Sequence, residues 1–309
     1  MATEKKVSIV VPVYADWPSL KACIGSLKTN VDTRHKIMLV NDCGPEADSL
    51  ERKIKEAIKK NNNFHYYRNP ENLGFVKTCN RAVFELDKTG NDILLLNSDT
   101  KVTSGFLEEL REILSSNHKI GTVTPRTNNA TIATVPLASI HQKGINPGES
   151  YKIFKKIKTK LPRYNEIPTA CGFCVLIRRK VIKKYGLFDE IFGKGYGEEN
   201  DLSMRIKKHG YINVLANHAY VFHLEARSFT MGTKTELLKK NRAILDERYP
   251  NYSRLVRGYI NQAMAREKDA EASAGVSYKL QEEGSLRRLI KSNKHTHRVA
   301  RGIKKYLTS

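Results

Sequence analysis

Val7-Ser-Ile-Val-Val-Pro-Val13 forms a nearly continuous apolar run close to the start of the chain. Such a run, without polar alternation, is typical of a strand that is buried on both faces of a sheet. Further apolar runs follow at 36–40, 64–67, 93–96 and 120–124. Helical patterns separate them at 18–28, 46–60, 74–87 and 105–114, with Ser104 as the expected cap of the last helix. This alternation predicts an α/β fold, with a mostly parallel central sheet and helices on both faces.

The second half of the chain is less regular. Five prolines and weak periodicity predict mostly loop over 125–168. Beyond it we predict a buried strand at 171–177, a short helix at 199–208 that ends near Gly210, and a last strand at 220–223. From Thr235 onward the pattern is helical. We therefore divide the chain into a sheet domain over 1–232 and a helical C-terminal extension over 233–309.

The chain of 309 residues has 54 Lys and Arg against 32 Asp and Glu, a formal net charge of +22. The excess lies in two segments: residues 141–185 carry 12 basic and 2 acidic side chains, and residues 233–309 carry 18 and 8. Such a charge suggests nucleic-acid binding. The sequence has no zinc-finger spacing, no aromatic RNA-binding motif and no basic helix beside a heptad zipper. We therefore expect no nucleic-acid partner, and this class stays only as a third alternative.

The sequence also bears on the compartment. No apolar run approaches the roughly 20 residues of a transmembrane helix, and the first residues show no signal-peptide pattern. Five cysteines do not make a disulfide scaffold in a chain of this length, and an odd number fits a reducing compartment. Cys171 and Cys174 have redox-like spacing but lie in an apolar run, so we interpret them as core residues. We expect a cytoplasmic protein.

Polar side chains follow three of the predicted strands. Tyr14 follows the first, Asn41-Asp42 the second and Asn97-Ser98-Asp99 the fourth. Ligands of parallel sheets bind at the carboxyl ends of the strands. The turn after the first strand lacks the Gly-rich pattern of an NAD site, and the chain has no phosphate-binding P-loop. Carboxylates without a Gly-rich cradle suggest that a divalent cation neutralises the phosphates of a nucleotide ligand.

Five motifs occur in register along the chain. They are Val7-Ser-Ile-Val-Val-Pro-Val-Tyr14, Val40-Asn-Asp-Cys43, Glu71-Asn-Leu-Gly-Phe75 with Asn80, Leu96-Asn-Ser-Asp-Thr100, and Gly186-Leu-Phe-Asp189 followed by Gly197-Glu-Glu-Asn-Asp-Leu202. From about residue 5 to 230 their order resembles family 2 glycosyltransferases of the GT-A fold, and most of all the rhamnosyltransferase-like enzymes of bacterial polysaccharides. The resemblance makes residues 1–232 a GT-A catalytic domain. It implies an inverting transferase that uses a nucleotide-diphosphate sugar and Mg²⁺ or Mn²⁺.

The resemblance also implies roles for individual residues. Asp42 matches an acid that bonds the nucleobase. The implied donor-binding residues are Pro12, Tyr14, Asp42, Asn72, Gly74, Asn80, Asn97 and Ser98. Asp99 matches the last acid of the D-x-D motif, which binds the metal, and Asn97 stands where the first acid is expected. His223 is the second implied metal ligand, with a structural role as the alternative.

Glu199 matches the catalytic base of the family. Inversion requires a carboxylate to take the proton of the acceptor hydroxyl while its oxygen attacks the anomeric carbon. Glu198 and Asp201 are expected to contact the acceptor, with bracing of the loop as the alternative for Asp201. Close carboxylates raise one another's pKa. The structural alternative for Glu199 is an acid at a helix N-terminus, where its charge complements the helix dipole. The preceding glycines, 193–197, are expected to let this loop close over bound sugar.

The two basic segments suggest partners. Residues 151–161 precede the strand that leads to the catalytic loop, which suggests an anionic acceptor such as a lipid-linked diphosphate or an acidic glycan. Residues 286–309 have the basic amphipathic pattern of a helix on an anionic membrane, with a solvated tail or an oligomerisation helix as alternatives. We expect a metal-dependent hexosyl or deoxyhexosyl transferase of surface-polysaccharide biosynthesis, peripheral on the inner face of the cell membrane. The main alternative is an inactive nucleotide-sugar-binding or scaffold module.

Overall fold

The computed structural model describes residues 5–141, 145–224 and 231–278. The strands are β1 Val7–Val13, β2 Lys36–Asn41, β3 Phe64–Arg68, β4 Asp92–Leu96, β5 Thr100–Val102, β6 Ile120–Arg126, β7 Tyr164–Ile167, β8 Cys174–Ile177 and β9 Ile212–His223. The α-helices are α1 Trp17–Asn30, α2 Ala47–Ile58, α3 Phe75–Arg81, α4 Phe106–Ser116, α5 Pro147–Ile157, α6 Arg179–Tyr185, α7 Glu198–Lys207, α8 Met231–Arg248 and α9 Tyr252–Ser273. A π-helical turn, Ala82–Leu86, continues α3.

The strands of the described ranges form one mixed sheet in the order β3-β2-β1-β4-β8-β6-β9-β5, with β7 paired to β9. β1 lies parallel between β2 and β4, and β2 is parallel to β3, as predicted. β8 is antiparallel to both β4 and β6, whereas β6 and β9 are parallel. Because β1, β2 and β4 are adjacent and parallel, their carboxyl ends lie at one edge of the sheet.

Side chains of the first strands are buried on both faces of the sheet. Ile9 and Val11 join the core layer that α1, α2 and α4 cover, whereas Val10 joins the layer that α3 and α6 cover. All three are fully buried. Each such side chain contributes about 1.5–3 kcal/mol by leaving water. The predicted α/β architecture with helices on both faces is confirmed.

The interpretation of residues 125–168 as mostly loop is wrong, because α5 and β7 lie there. α5 begins at Pro147, and the side chain of Asn146 accepts a hydrogen bond from a backbone N–H of the first turn. Proline is favoured at this position because the first helical N–H groups have no partner within the helix. A residue that we took as a loop signal is therefore a helix start. The apolar face of α5 packs Phe154 against Tyr220 of β9.

Two smaller expectations are also corrected. The last strand begins at Ile212 rather than at residue 220. The prediction missed its first half because Asn213 and Asn217, both buried and hydrogen-bonded, interrupt the apolar pattern. Ser104 does not cap α4. Gly105 takes the cap position with φ of 73°, a left-handed conformation that glycine adopts without strain, and no side chain caps the helix.

Cys171 and Cys174 are buried, unbridged members of the main core layer, as predicted, although the strand itself begins only at Cys174. Their pKa values are raised by burial, which keeps both thiols protonated and inert.

The C-terminal helices pack on both layers of the core. Leu245 of α8 and Tyr249, the residue after its end, join the layer of α3 and α6, and Tyr259 and Ala263 of α9 join the other. The division at residue 232 stays a prediction about domains, and the tail 286–309 lies outside the described residues. None of the helices in the described ranges combines the length and the apolar character that a bilayer-spanning segment needs.

Candidate active site

The ends of β1 and β2 approach each other closely at the carboxyl edge of the sheet. The backbone N–H of Asp42 donates to the carbonyl of Val13 at 2.7 Å. A Cβ at Gly44 would lie 1.9 Å from the carbonyl oxygen of Tyr14, so only glycine allows this approach. Four of the predicted donor-binding residues are half-buried along this edge: Pro12, Tyr14, Asn97 and Ser98.

Asp42 is buried and organises the loop between β3 and α3. Its Oδ1 accepts hydrogen bonds from Asn69 Nδ2 at 2.8 Å, from the backbone of Leu73 at 2.9 Å and from Thr78 Oγ1 at 2.7 Å. Its Oδ2 accepts one from the backbone of Gly74 at 3.0 Å. The carboxylate therefore shapes the loop that carries Glu71-Asn-Leu-Gly-Phe75, the motif with the predicted donor-binding residues Asn72 and Gly74 (the donor motif). A direct bond from Asp42 to a nucleobase stays a prediction.

The other residues of the donor motif have different surroundings. Asn72 is exposed on the loop. Gly74 has φ of 79°, and a Cβ there would lie 3.2 Å from the side chain of Lys194. The amide of Asn80 donates to the carbonyl of Phe188 at 2.9 Å and accepts from its N–H at 3.2 Å. Asn80 thus ties α3 to the Gly-Leu-Phe-Asp motif that precedes the predicted catalytic loop.

Asp99 and His223 are brought together by the pairing of β5 with the end of β9. His223 Nε2 lies 3.5 Å from Asp99 Oδ1, and the N–H of Leu224 donates to the carbonyl of Asp99 at 2.8 Å. On the other side of the ring, Nδ1 of His223 lies 2.7 Å from the carbonyl oxygen of Asn129. Because a carbonyl only accepts, Nδ1 donates this bond, and Nε2 is the nitrogen that faces Asp99.

This pair fits a divalent cation of the predicted kind. A carboxylate oxygen and an imidazole nitrogen would supply two ligands, and the phosphates of a nucleotide and water would complete the shell, as is usual for Mg²⁺ sites. Within the described ranges, no three His, Cys, Asp or Glu side chains lie close enough to form a metal cluster. A cation at Asp99 and His223 would therefore depend on the donor's diphosphate for binding.

The segment before β8 connects this pair to the predicted base. The ring of Phe173 stacks on the imidazole of His223, with centroids 5.3 Å apart, and its carbonyl accepts from the N–H of Asn97 at 2.9 Å. One residue earlier, a Cβ at Gly172 would lie 3.6 Å from the carboxyl carbon of Glu199. The predicted metal ligands and the predicted base thus flank the same short stretch of chain.

Glu198 and Glu199 begin α7, behind a cap at Gly197 with φ of 102°. Glu198 is buried and Glu199 half-buried. One carboxylate oxygen of each, Oε2, is inaccessible to water and has no hydrogen-bond partner within the described part of the chain. Oε2 of Glu198 lies 4.0 Å from the position of a Cβ on Gly195, so this side chain faces the preceding loop. Two carboxyls with unpaired buried oxygens are costly for stability and are therefore typical of a functional site.

Burial raises the pKa of both carboxyls. For Glu198 the negative charge of Glu199 raises the pKa further, and the value lies well above the ordinary range. For Glu199 backbone N–H groups at the start of α7 partly oppose the effect of burial. Glu198 is thus the more readily protonated member of the pair, and Glu199 is the more readily ionised one.

Asp201 joins α7 to the end of α8. Its Oδ1 accepts from Arg248 Nη1 and from the hydroxyl of Tyr249, both at 2.9 Å, and its Oδ2 accepts from Arg205 at 3.2 Å. Both carboxylate oxygens are thus engaged within the protein. This arrangement fits the bracing alternative, and an acceptor contact stays a prediction.

Several residues of the site were not predicted. Asn128 and Asn129 lie in the segment that we took as loop, and the Asn128 side chain pairs with the backbone of His223 at 2.8 and 2.9 Å. The only sequence feature that could have indicated these two residues is that they are adjacent asparagines. Phe173, Arg248 and Asn241, a buried side chain of α8, had no sequence signal, because their roles depend on elements distant in the chain.

A family model and a curated relative match the chain. The model of Glycosyl transferase family 2 matches residues 8–186. An N-acetylglucosaminyl-diphospho-decaprenol L-rhamnosyltransferase of Mycobacterium tuberculosis is 22% identical over 240 residues, which cover 71% of this chain and 76% of the relative.

Solved structures share the fold. GalNAc-T7 with UDP, GalNAc and Mn²⁺ has a TM-score of 0.59 at 16% identity, over 88% of this chain and 55% of that one. The chain thus spans about half the length of that protein. Mannosyltransferase PcManGT from Pyrobaculum calidifontis with GDP-Man and Mn²⁺ has a TM-score of 0.58 at 13% identity, over 99% and 84%. These similarities confirm the predicted GT-A-like architecture.

Proposed function

This chain belongs to glycosyl transferase family 2, and we propose that it is an inverting enzyme that moves a sugar from a nucleotide-diphosphate donor to a hydroxyl of a glycan or lipid-linked glycan. The observation that carries the proposal is the pair of carboxyls at the start of α7, each with an unpartnered buried oxygen. Single displacement at an anomeric carbon needs one base, and Glu199 has the position and the pKa direction for that role.

The roles of the other residues follow from their places at the edge of the sheet. Asp42 holds the loop between β3 and α3, which carries Asn72. The edge where the nucleotide would bind is lined by Pro12, Tyr14, Asn97 and Ser98. Asp99 and His223 would hold Mg²⁺ or Mn²⁺. The cation would neutralise the donor's diphosphate and stabilise it as a leaving group. Glu198, protonated, would donate a hydrogen bond to the acceptor or the sugar, while Glu199 takes the proton of the attacking hydroxyl.

An anionic acceptor is supported by charge beside the site. Lys155 and Lys158 of the α5 region lie over the rings of Tyr151 and Phe154, at 5.2 and 5.9 Å from the centroids. Tyr151 in turn contacts Phe222, the residue before His223, with ring centroids 5.2 Å apart. These cations therefore stand next to the strand that carries the predicted metal ligand. A diphosphate-linked lipid, of the kind in the mycobacterial relative's name, would suit such a surface.

We further propose a deoxyhexose donor, because that relative is an L-rhamnosyltransferase, and a role in surface-polysaccharide biosynthesis at the cytoplasmic face of the membrane. The basic segment 286–309 would hold the enzyme at anionic lipid. We expect the full chain to sediment with phosphatidylglycerol vesicles and a chain that ends at residue 285 to stay in the supernatant. Neutral phosphatidylcholine vesicles serve as the control. Equal retention of both chains contradicts the membrane role.

The reaction itself is tested in two steps. Thermal unfolding with a panel of nucleotide sugars, with and without Mn²⁺ or Mg²⁺, should single out one donor, because a ligand stabilises the folded state by RT ln(1+[L]/Kd). Transfer from that donor to an alkyl-linked GlcNAc diphosphate is then followed by NMR. The expected product has the anomeric configuration opposite to that of the donor. Retained configuration, or stabilisation by no donor at all, would overturn the proposal.

A further inference from the structure

The loop between Phe192 and α7 has an unusual backbone. Gly193, Gly195, Tyr196 and Gly197 all have positive φ, between 59° and 126°. Glycine loses much conformational entropy when it is ordered, so a segment of this kind is costly to hold in one conformation. The loop nevertheless ends directly at Glu198 and Glu199, whose placement depends on it.

The loop lies against the predicted donor motif. The Cα of Lys194 lies 3.3 Å from the position of a Cβ on Gly74, and the position of a Cβ on Gly195 lies 3.7 Å from Phe75 and 4.0 Å from Oε2 of Glu198. One short segment therefore contacts both the start of α3 and one of the two carboxyls of the site.

The buried side chain of Asn241 binds the backbone of this loop at three points. Asn241 of α8 is 2% exposed, and its Nδ2 donates to the carbonyls of Phe192, Gly195 and Tyr196 at 3.0, 2.8 and 2.8 Å. A primary amide carries two N–H donors on one nitrogen, which three converging carbonyls can share. A carboxylate of the same shape has no donor, so it would face three carbonyl oxygens with negative charge.

The next turn of α8 supports the same contact. Leu245 lies four residues after Asn241, on the same face of the helix. Its Cδ1 is 3.1 Å from the position of a Cβ on Gly197, the cap of α7, and Phe192 is 3.2 Å from that position. Thus α8 contacts the loop through hydrogen bonds from Phe192 to Tyr196 and by packing at Gly197.

We propose that Asn241 is a positioning residue for transfer: it keeps the loop from Phe192 to Gly197 closed, so that Glu198 and Glu199 stand in their working places. The inference rests on the proposed function. Asn241 touches neither donor nor acceptor and acts through the backbone of the loop. Its loss should therefore lower kcat while the fold persists, because a displacement of about 1 Å at a reacting group can cost about 100-fold in rate.

Trypsin provides a readout that needs no transfer activity, because Lys194 is an exposed cleavage site in the middle of this loop. The variants are Asn241→Asp, which has the same shape without donors, and Asn241→Gln, which keeps the amide. Lys240→Gln, at an exposed neighbouring position of α8, is the matched control. Cleavage of the Lys194–Gly195 bond is followed by mass spectrometry on each folded protein, alongside kcat and donor KM.

We expect cleavage after Lys194 to be at least tenfold faster in Asn241→Asp, with kcat at least tenfold lower and Lys240→Gln unchanged. Asn241→Gln should recover part of both effects, and it carries the test if Asn241→Asp does not fold. Cleavage at the rate of the unsubstituted chain in both variants would overturn the tether. Faster cleavage with an unchanged kcat would overturn the positioning role. If the unsubstituted chain transfers no sugar, the proposed function fails, and the cleavage rates still decide the tether.

Discussion

His223 Nε2 lies 3.5 Å from Asp99 Oδ1, across the pairing of β5 with the end of β9. The opposite ring nitrogen is held by the carbonyl of Asn129, and the ring face by Phe173. The neighbours of this imidazole thus set its tautomer and its direction, as the proposed role of His223 as a metal ligand requires.

Replacement of His223 by glutamine is expected to weaken Mn²⁺ binding at least tenfold, because one of the two proposed protein ligands is lost. Isothermal titration in the presence of the stabilising nucleoside diphosphate measures the affinity. His118→Gln, an exposed histidine after α4, is the control. An unchanged Mn²⁺ affinity in His223→Gln would assign His223 a purely structural role.

Replacement of Glu199 by glutamine should lower the transfer rate by about 10²–10⁴-fold, the usual contribution of a general base, while donor affinity stays within about threefold. Glu198→Gln should cost less, because Glu198 is the more readily protonated member of the pair and Glu199 is the proposed base. The pH profile gives a second check. Burial raises the pKa of Glu199, so the transfer rate should increase as the pH rises through this raised pKa and Glu199 ionises. The increase should be absent in Glu199→Gln. Full activity of Glu199→Gln would place the base elsewhere, and loss of donor binding would indicate a structural defect.

The ion pair between Arg126 and Glu267 should be important for stability. Arg126 Nη1 lies 3.0 Å from Glu267 Oε2, both side chains are 3% exposed, and Glu267 also accepts from the backbone N–H of Leu137. Glu267→Leu leaves the buried guanidinium of Arg126 without its carboxylate, with Asn217 Oδ1 still accepting from Nε. This change is expected to cost about 3–5 kcal/mol in the free energy of unfolding, measured by urea denaturation. The double variant Arg126→Met/Glu267→Leu should recover part of the loss.

An exposed pair provides the control for this measurement. Lys152 lies 2.6 Å from Glu149 with both side chains more than half exposed, so Glu149→Gln should change the free energy by less than about 1 kcal/mol. If Glu267→Leu lowers the free energy of unfolding by no more than Glu149→Gln does, the buried pair does not anchor α9.

Glu271 should make stability depend on pH. Burial raises its pKa to about 7, and the neighbouring Glu267 adds to the shift, while the hydroxyl of Tyr278 and the charge of Lys268 oppose it. The folded state therefore holds a proton that the unfolded state releases near its ordinary pKa of 4.5. Between about pH 4.5 and 7, stability falls as the pH rises. The Tm of Glu271→Gln minus that of the unsubstituted chain should therefore increase from pH 5 to pH 8, and Glu149→Gln should show no such trend. A constant difference would contradict the raised pKa.

Short-range patterns accounted for the parallel half of the fold. Apolar runs marked β1, β2 and β4, whose side chains are nearly all buried because the sheet is covered on both faces. Asp42 and Asp99 follow β2 and β4 and so lie at the carboxyl edge of the sheet, and their roles in a binding site stay predictions. Prediction from apolar patterns failed where polar side chains are buried. Asn213 and Asn217 interrupt the apolar pattern of β9, and they can be buried because their amides bond partners in other elements.

By itself, then, the sequence determined the fold class, the family resemblance and the residue types at the strand ends, because each depends on local periodicity or on adjacent residues. Only the tertiary structure decided which of these residues meet. The contact of His223 with Asp99 requires an antiparallel pairing of distant strands. The hydrogen bonds of Asn241 to the loop before Glu198 require a helix, α8, that follows β9 in the chain. Such contacts depend on packing between elements, and no spacing along the chain encodes them.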